Sequence, residues 1–413
     1  RRFNRSAQMQ KDNDPASGSL THYLARALII LRNINVNVSS KNRSDIPGFR
    51  PMIGDVFGQK GSDNGLVPGL PFAFGFDGGE HFIRKSLANN QLVINEKNIT
   101  SALYNQTQNV RMDATLEPFY GLKIDLNTLY ENNRRTEFQY MFKDMPKTFG
   151  GSFAMTTFML PSAFEGTNAK NNYQSAAFEQ FRENRNTIAS RLRARYANTR
   201  YPEKGFLENS SWKGESYNAA TGDVNLNSSD VLVPAFLAAY TGKSAKDIAT
   251  TPFPNLWAML PNWDISYNLL SGFPDLRKNF KSVLFTHKYI SQYRIGAYSS
   301  YLNWVAATDK GDLGFIRDVV SGSPLPSSPY EISAVSLIES FNPLFEVQGV
   351  LENNVSWSFG INKTRSLNLN IPSRQVVETK DNDFVTGIGY RVPDFNRILG
   401  LKSRVETSVE IAS

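Results

Sequence analysis

Val355-Ser356-Trp357-Ser358-Phe359-Gly360-Ile361-Asn362 alternates large apolar side chains with small polar ones. A period of two is the signature of a strand whose faces meet different surroundings, because successive side chains of an extended backbone point opposite ways. Val355, Trp357, Phe359 and Ile361 share one face; Ser356, Ser358, Gly360 and Asn362 share the other. The pattern recurs on both sides. Leu367, Leu369 and Ile371 alternate with Ser366, Asn368 and Asn370, and Phe384, Thr386, Ile388 and Tyr390 with Val385, Gly387, Gly389 and Arg391. Leu401, Ser403, Val405, Thr407, Val409 and Ile411 alternate with a charged or polar set that includes Arg404 and Glu406. The polar runs Asn362-Lys363-Thr364 and Lys380-Asp381-Asn382-Asp383 read as hairpin turns between these segments. Residues 340–413 are therefore expected to form an antiparallel β-meander.

Farther upstream, Ile34, Val36 and Val38 alternate with asparagines, and Leu122, Ile124 and Leu126 with Lys123, Asp125 and Asn127. The longest alternating stretch runs from Val283 to Tyr301. Its apolar face carries Val283, Phe285, Tyr289, Tyr293, Ile295 and Ala297, and its polar face Lys288, Gln292 and Arg294. Two regions break the pattern. Residues 40–110 read as a loop-rich insertion, because 47–79 is crowded with Gly and Pro. Residues 170–260 read as a helix-containing insertion, with Phe178, Phe181, Ile188 and Leu192 near helical spacing over 173–197 and a short helix expected over 244–249.

Composition removes several functions. The 413 residues include no Cys and only three His, which excludes thiolate chemistry and cysteine-based metal sites and leaves little for a histidine centre. Phosphate-binding loops, zinc-protease motifs and nucleophile elbows are absent from the sequence. Asp77-Gly78-Gly79-Glu80-His81 clusters two carboxylates with an imidazole but reads as a solvated turn, as do Asp381 and Asp383. His287 reads as a packed or interfacial residue, and His22 has no visible partner. Arg182, Arg185, Arg191, Arg193 and Arg195 read as a solvated helix face rather than a nucleic-acid site. No cofactor, metal or catalysed reaction is expected. A spanning helix needs about 20 apolar residues, and the best runs, 27–31 and 231–240, fall short. The first residues, Arg1-Arg2-Phe3-Asn4-Arg5, hold no signal core, so the chain is expected to be an internal or processed portion.

Alternation fits either a soluble sheet or an outer-membrane barrel, whose apolar face meets lipid and whose polar face lines a lumen. Long strands and a polar face of Asn, Ser, Thr and Gly favour the barrel. On that reading Val355, Trp357, Phe359 and Ile361 are lipid-facing, whereas Lys288, Gln292, Arg294 and Arg404 line the lumen, with Tyr289 and Tyr293 turned outward. Arg32 is the exception, since it shares the parity of Ile34 and Val36. The soluble alternative is a surface adhesin or glycan-binding β-protein. A small-solute porin or nutrient transporter is the membrane alternative.

Val233-Pro234-Ala235-Phe236-Leu237-Ala238-Ala239-Tyr240-Thr241-Gly242 resembles a segment of the SprA/Sov family, the outer-membrane translocon of the type IX secretion system. Phe178 to Arg185 followed by Ile188 to Leu192 is similar to the helix that precedes that segment in the family. Leu260-Pro261-Asn262-Trp263, Phe285-Thr286-His287-Lys288-Tyr289 and Asn342-Pro343-Leu344-Phe345 resemble its later hairpins. The likeness runs from about Leu20 to the end. It implies an all-β fold in which residues 1–413 are part of a very large antiparallel transmembrane β-barrel with long loops and a few inserted short helices. It also implies a bacterial outer-membrane location and passage of folded cargo proteins, linked in some species to gliding motility. The implied partners are secreted cargo, a PorV-type outer-membrane barrel, a periplasmic plug protein and the lipid bilayer.

Overall fold

The computed structural model describes residues 30–392 and 409–412, apart from 53, 55–56, 63–64, 96–99, 143, 167–173, 221 and 308–312. The chain opens with β1 (Leu31–Asp45) and then makes a small excursion with β2 (Lys60–Ser62), β3 (Gly65–Val67), α1 (Leu70–Ala73) and α2 (Glu80–Ala88). Next come β4 (Ala102–Leu116), β5 (Leu122–Phe138) and β6 (Lys147–Thr156). A helical insertion follows, with α3 (Leu160–Ala163), α4 (Ala176–Arg195) and α5 (Ser229–Thr241). The sheet resumes with β7 (Asn262–Asn268), a single turn α6 (Leu269–Gly272) and β8 (Phe280–Ser300). Three short strands, β9 (Val305–Ala306), β10 (Gly314–Arg317) and β11 (Pro324–Ser327), lead to β12 (Tyr330–Ile332) and β13 (Ala334–Leu351). Finally β14 (Val355–Asn370), β15 (Gln375–Val392) and β16 (Val409–Ala412) complete the described strands.

Eleven strands form one sheet with antiparallel pairing throughout: nine follow the path β1-β4-β5-β6-β8-β13-β14-β15-β16, while β7 pairs with β5 and β8, and β12 with β8. Strands β6 and β7 occupy a single lane between β5 and β8, β6 in its upper half and β7 in its lower half. The lower ends of the strands are joined by the links 117–121, 269–279 and 352–354, whereas the upper ends carry the long excursions 46–101 and 301–329 together with the short links 139–146 and 371–374. At the tight lower link Gly121 sits at φ 89, and a Cβ there would lie 1.9 Å from the Ser271 hydroxyl oxygen. Among the described residues no helix is long and apolar enough to cross a membrane.

Several expectations need correction. Asn362–Thr364 and Lys380–Asp383 are not turns: β14 and β15 run through them and pair them with one another, Asn362 with Asp383 and Thr364 with Asp381. The real turns are 352–354 and 371–374, where Asn354 and Arg374 take positive φ. The described part of 340–413 does form an antiparallel meander, β13, β14, β15 and β16 pairing in succession within the same sheet, and the segment 401–408 with Arg404 lies outside the described residues. The first insertion is 46–101 rather than 40–110, because β1 continues to Asp45 and β4 begins at Ala102. The second is 157–261, and its helices are not all short, since α4 has 20 residues.

Residues 244–249 form a turn, and the helix lies earlier, over 229–241. All 13 residues of α5 are buried, as an apolar run must be when helical hydrogen bonding already satisfies its backbone. Gly242, left-handed at φ 69, ends it. Phe181, Ile188 and Leu192 of α4 pack with α5 against Tyr293 and Ile295 of β8, Leu337 of β13 and Leu367 and Leu369 of β14. The arginines of α4 stitch this insertion together. Arg191 donates to the Ala245 and Ile248 carbonyls at 2.8 and 2.7 Å, Arg193 to the Gly222 carbonyl at 3.0 Å and Arg185 to Asn227 at 2.8 Å.

Asp230 of α5 ties the excursion 301–329 to the helices, its carboxylate accepting the Ser328 N–H at 2.9 Å. Burial pushes this carboxyl above its ordinary range, against the lowering effect of its Ser328 and Ser327 hydrogen bonds. A carboxyl whose folded value is raised supports folding fully below its unfolded value, about pH 4, and loses that contribution as pH rises through the folded value. Asp230→Asn keeps the acceptor oxygen, so its melting temperature is expected to match the wild type near pH 3.5 and to exceed it increasingly toward neutral pH. Parallel thermal melts across that range provide the check.

Candidate functional site: the two faces of the sheet

Directly paired residues of neighbouring strands project from the same side, so the register assigns every strand residue to a face. One face carries Ile34, Val36 and Val38 of β1, then Val110, Met112 and Ala114 of β4, then Ile124 and Leu126 of β5. It continues through Trp263 and Ile265 of β7, Phe285 of β8 and Val347 of β13 to Phe359 of β14 and Ile388 of β15. These residues form an apolar band across the lower half of the sheet, crossing every strand lane from β1 to β15. A seven-residue stretch such as Val355–Ile361 spans roughly 20 Å along its strand at about 3.3 Å per residue. Much of the band is uncovered: Val38 is 69% exposed, Phe384 73% and Ile388 63%. Below it, the links present exposed rings from Phe119, Tyr120 and Phe273.

The same face changes character in its upper half, where the helical insertion covers it. Its border is a cluster of charges on the parity of Leu367 and Leu369. Arg365, 2% exposed at its side chain, donates to Glu378 at 2.6 Å and to the Ser162 carbonyl at 2.7 Å, and lies 3.8 Å from the Glu339 carboxylate. Tyr289 donates its hydroxyl hydrogen to Glu339 at 2.9 Å and accepts the Met159 N–H at 2.9 Å. Lys363 donates to the Ala163 carbonyl at 2.7 Å and lies 4.3 Å from the centre of the Phe164 ring. A buried arginine and a half-buried lysine thus clasp α3 and its flanks to the sheet immediately above the band.

The opposite face is polar for most of its length. It presents Asn33, Asn35 and Asn37, then Asp113 and Thr115, then Lys123, Asp125 and Asn127, and at the other end Gln348, Ser356, Ser358, Gly387 and Gly389. Leu284, Ile290, Ile338 and Val385 are apolar exceptions. Near the lower links a groove of about 590 Å³ includes Ser282, Leu284, Gln348, Ser356, Ser358, Gly387 and Gly389 of this face.

The structure places Val355, Trp357, Phe359 and Ile361 together on the banded face, Phe359 exposed and the other three half-buried. Lys288, Gln292 and Arg294 share the polar face. Lys288 lies 3.5 Å from Asp264, and Arg294 donates to the Gln292 side chain at 2.6 Å. Tyr289 and Tyr293 do lie on the banded face, but they are fully buried beneath the insertion rather than turned outward. A bulge in β8 also shifts parity, so Tyr298 is buried and Ala297 is exposed. Arg32 sits at an irregularity between Leu31 and Asn33, where the register shifts, and pairs with Glu117 at 2.8 Å. Its parity with Ile34 therefore does not put a lone cation into the band.

Other candidates resolve into ordinary contacts. His81, mostly exposed, lies 2.9 Å from Asp77, and Glu80 pairs with Arg84 and Lys147. Burial would raise the Glu80 carboxyl, but its bonds to Lys147 and Arg84 hold it below its ordinary range. His287 bonds the Leu344 carbonyl between the rings of Trp263 and Phe341. Asp381 and Asp383 sit on the polar face of β15, and His22 lies outside the described residues. Among the described residues no three His, Asp or Glu side chains could hold a metal. The Arg365 clasp went unread, although a legible signal existed in a charge at an apolar parity position. No family model matches the chain, and no curated protein matches it.

Removing Arg365 takes from Glu339, itself 1% exposed, its ion-pair partner and leaves only Lys363 as a cation in reach. Arg365→Ala is expected to cost about 3–5 kcal/mol, and adding Glu339→Gln should recover part of that loss. Denaturant melts followed by tryptophan fluorescence measure both variants.

Proposed function

We propose that this chain forms an arc of a very large transmembrane β-barrel in a bacterial outer membrane, and that the barrel conducts folded proteins. The observation that carries the reading is the continuous apolar band on one face, set against a polar face across every lane. A soluble sheet would bury such a band against a second layer, whereas among the described residues the covering layer stops above it. The two longest links between neighbouring strands, 46–101 and 301–329, both lie at the upper ends, which supports the same reading, since outer-membrane barrels have short periplasmic turns and long extracellular excursions. On that orientation the lower links face the periplasm and the helical insertion stands outside the membrane on the extracellular side. Val355, Trp357, Phe359 and Ile361 contact lipid, and Lys288, Gln292 and Arg294 line the lumen.

The step from barrel to protein conduit rests on the resemblance of 178–192, 233–242 and the later hairpins to the SprA/Sov translocons. It brings with it secreted cargo, a PorV-type barrel and a periplasmic plug as partners. No chemistry is catalysed on this reading. A wall of Asn, Ser, Thr and Gly offers weak, rapidly exchanging hydrogen bonds, which suit passage of varied surfaces better than tight binding sites would. The driving force for transport comes from elsewhere.

Two measurements test the proposal. Phe359→Arg places a cation in the lipid at a cost of about 2–4 kcal/mol near the bilayer midplane, whereas Ser358→Arg places it in water. Heat-modifiable folding in membranes is expected to fail for the first and persist for the second, and equal behaviour would count against a membrane strand. Deleting the protein is expected to abolish surface and medium delivery of several unrelated secreted proteins. Normal export combined with failed uptake of a small solute would replace the conduit by a porin.

A further inference from the structure

Four cations of the polar face each sit against a carboxylate of that same face. Arg111 pairs with Asp113 at 3.0 Å, Lys123 with Asp125 at 2.7 Å, Arg135 with Glu137 at 2.9 Å and Lys288 with Asp264 at 3.5 Å. The first three are two residues apart along one strand, hence neighbours on one face, and the fourth is an in-register pair across β7 and β8. Together they extend across β4, β5, β7 and β8. All eight side chains are 36% exposed or more, so the pairs are solvated and contribute little to stability. Their effect is on the field. Each charge is cancelled within a few ångströms, far inside the distance over which salt would screen it.

Resting on the reading of this face as a lumen wall, we infer that this arc of the wall is close to neutral, with four local pairs and two further charges of opposite sign, Arg294 bonded to Gln292 and Glu131 bonded to Asn133, and that its substrates are folded proteins of either net charge. A channel that selects small ions or solutes gathers one sign of charge at a constriction, so that the field concentrates one class of solute. This face does the opposite. The four pairs sum to zero, so the chain's net charge of +7 is carried outside them; the same cations without their carboxylates would retain acidic proteins and repel basic ones. Local pairing leaves a passing acidic or basic surface with no extended region of opposite sign to adhere to. The arrangement thus does not sort cargo by net charge.

The test uses the intact protein in planar bilayers at about 10 mM salt, where the screening length is about 30 Å. Asp125→Asn is expected to shift the reversal potential toward anions and Lys123→Gln toward cations, whereas the double variant returns to the wild-type value. Retained heat-modifiable mobility shows that each variant folds. In cells, joint replacement of Asp113, Asp125 and Asp264 by Asn, which leaves three cations unpaired, is expected to slow export of an acidic cargo several-fold and leave a basic cargo unchanged. Single variants without any shift, a double variant that fails to cancel, or equal slowing of both cargoes would overturn the inference while leaving the pore intact. A folded, membrane-inserted protein that conducts nothing would overturn the conduit reading and this inference with it.

Discussion

Unbroken antiparallel pairing is the constraint on which everything else in this molecule depends. Because side chains alternate strictly, a slip of one residue anywhere would carry a strand's apolar set to the wrong face. From β13 through β15 the pairing holds that phase over the whole strand length. Even where β13 gains two residues between Phe341 and Phe345 relative to β14, an even number leaves both faces in place. The β8 bulge, by contrast, adds one residue, and parity changes there above Ile295, where the insertion already covers the face and Tyr298 fills the core.

The two halves of the banded face then face different physical demands. Below, large apolar side chains stand exposed with no protein layer over them. Above, the same parity positions are filled by Tyr289, Tyr293, Leu337, Leu367 and Leu369, which need the insertion to bury them. Between these zones the side chains turn ionic, at Lys363, Arg365, Glu378 and Lys380. That border explains how strands of 15 to 21 residues can be much longer than an apolar band of about seven. The strands continue upward as a conventional two-layer α/β packing.

Alternation made the strands, their faces and the two insertions legible, because a period of two reports directly on backbone geometry. Turns were less so. Asn362-Lys363-Thr364 and Lys380-Asp381-Asn382-Asp383 have turn composition, yet they are the places where paired strands cross from one environment into another, a fact that no local propensity encodes. The α5 run is too short for a membrane helix; only α4 and the sheet against which it packs explain an apolar helix buried on all sides. Arg365 and Glu339 could be read as anomalies of parity but not as partners, since 26 residues and a hairpin separate them. Their meeting is a product of the β13–β14 register, Glu339 opposite Arg365.

The insertion 157–261 leaves and rejoins the sheet almost at one point. Thr156 stands opposite Gln292, and Trp263 stands opposite Tyr289. The seam is closed by the Thr157 N–H on the Ser291 carbonyl at 3.2 Å and by the Ser291 N–H on the Asn262 side chain at 2.8 Å. Topologically the lane is a single strand that has been cut and opened outward, with its severed ends held by one residue of the neighbouring strand. A whole helical body can therefore be carried on one face of a continuous sheet without removing a lane from it. Enlarging or reshaping that body alters what covers the face, while the order of neighbours across the sheet stays the same.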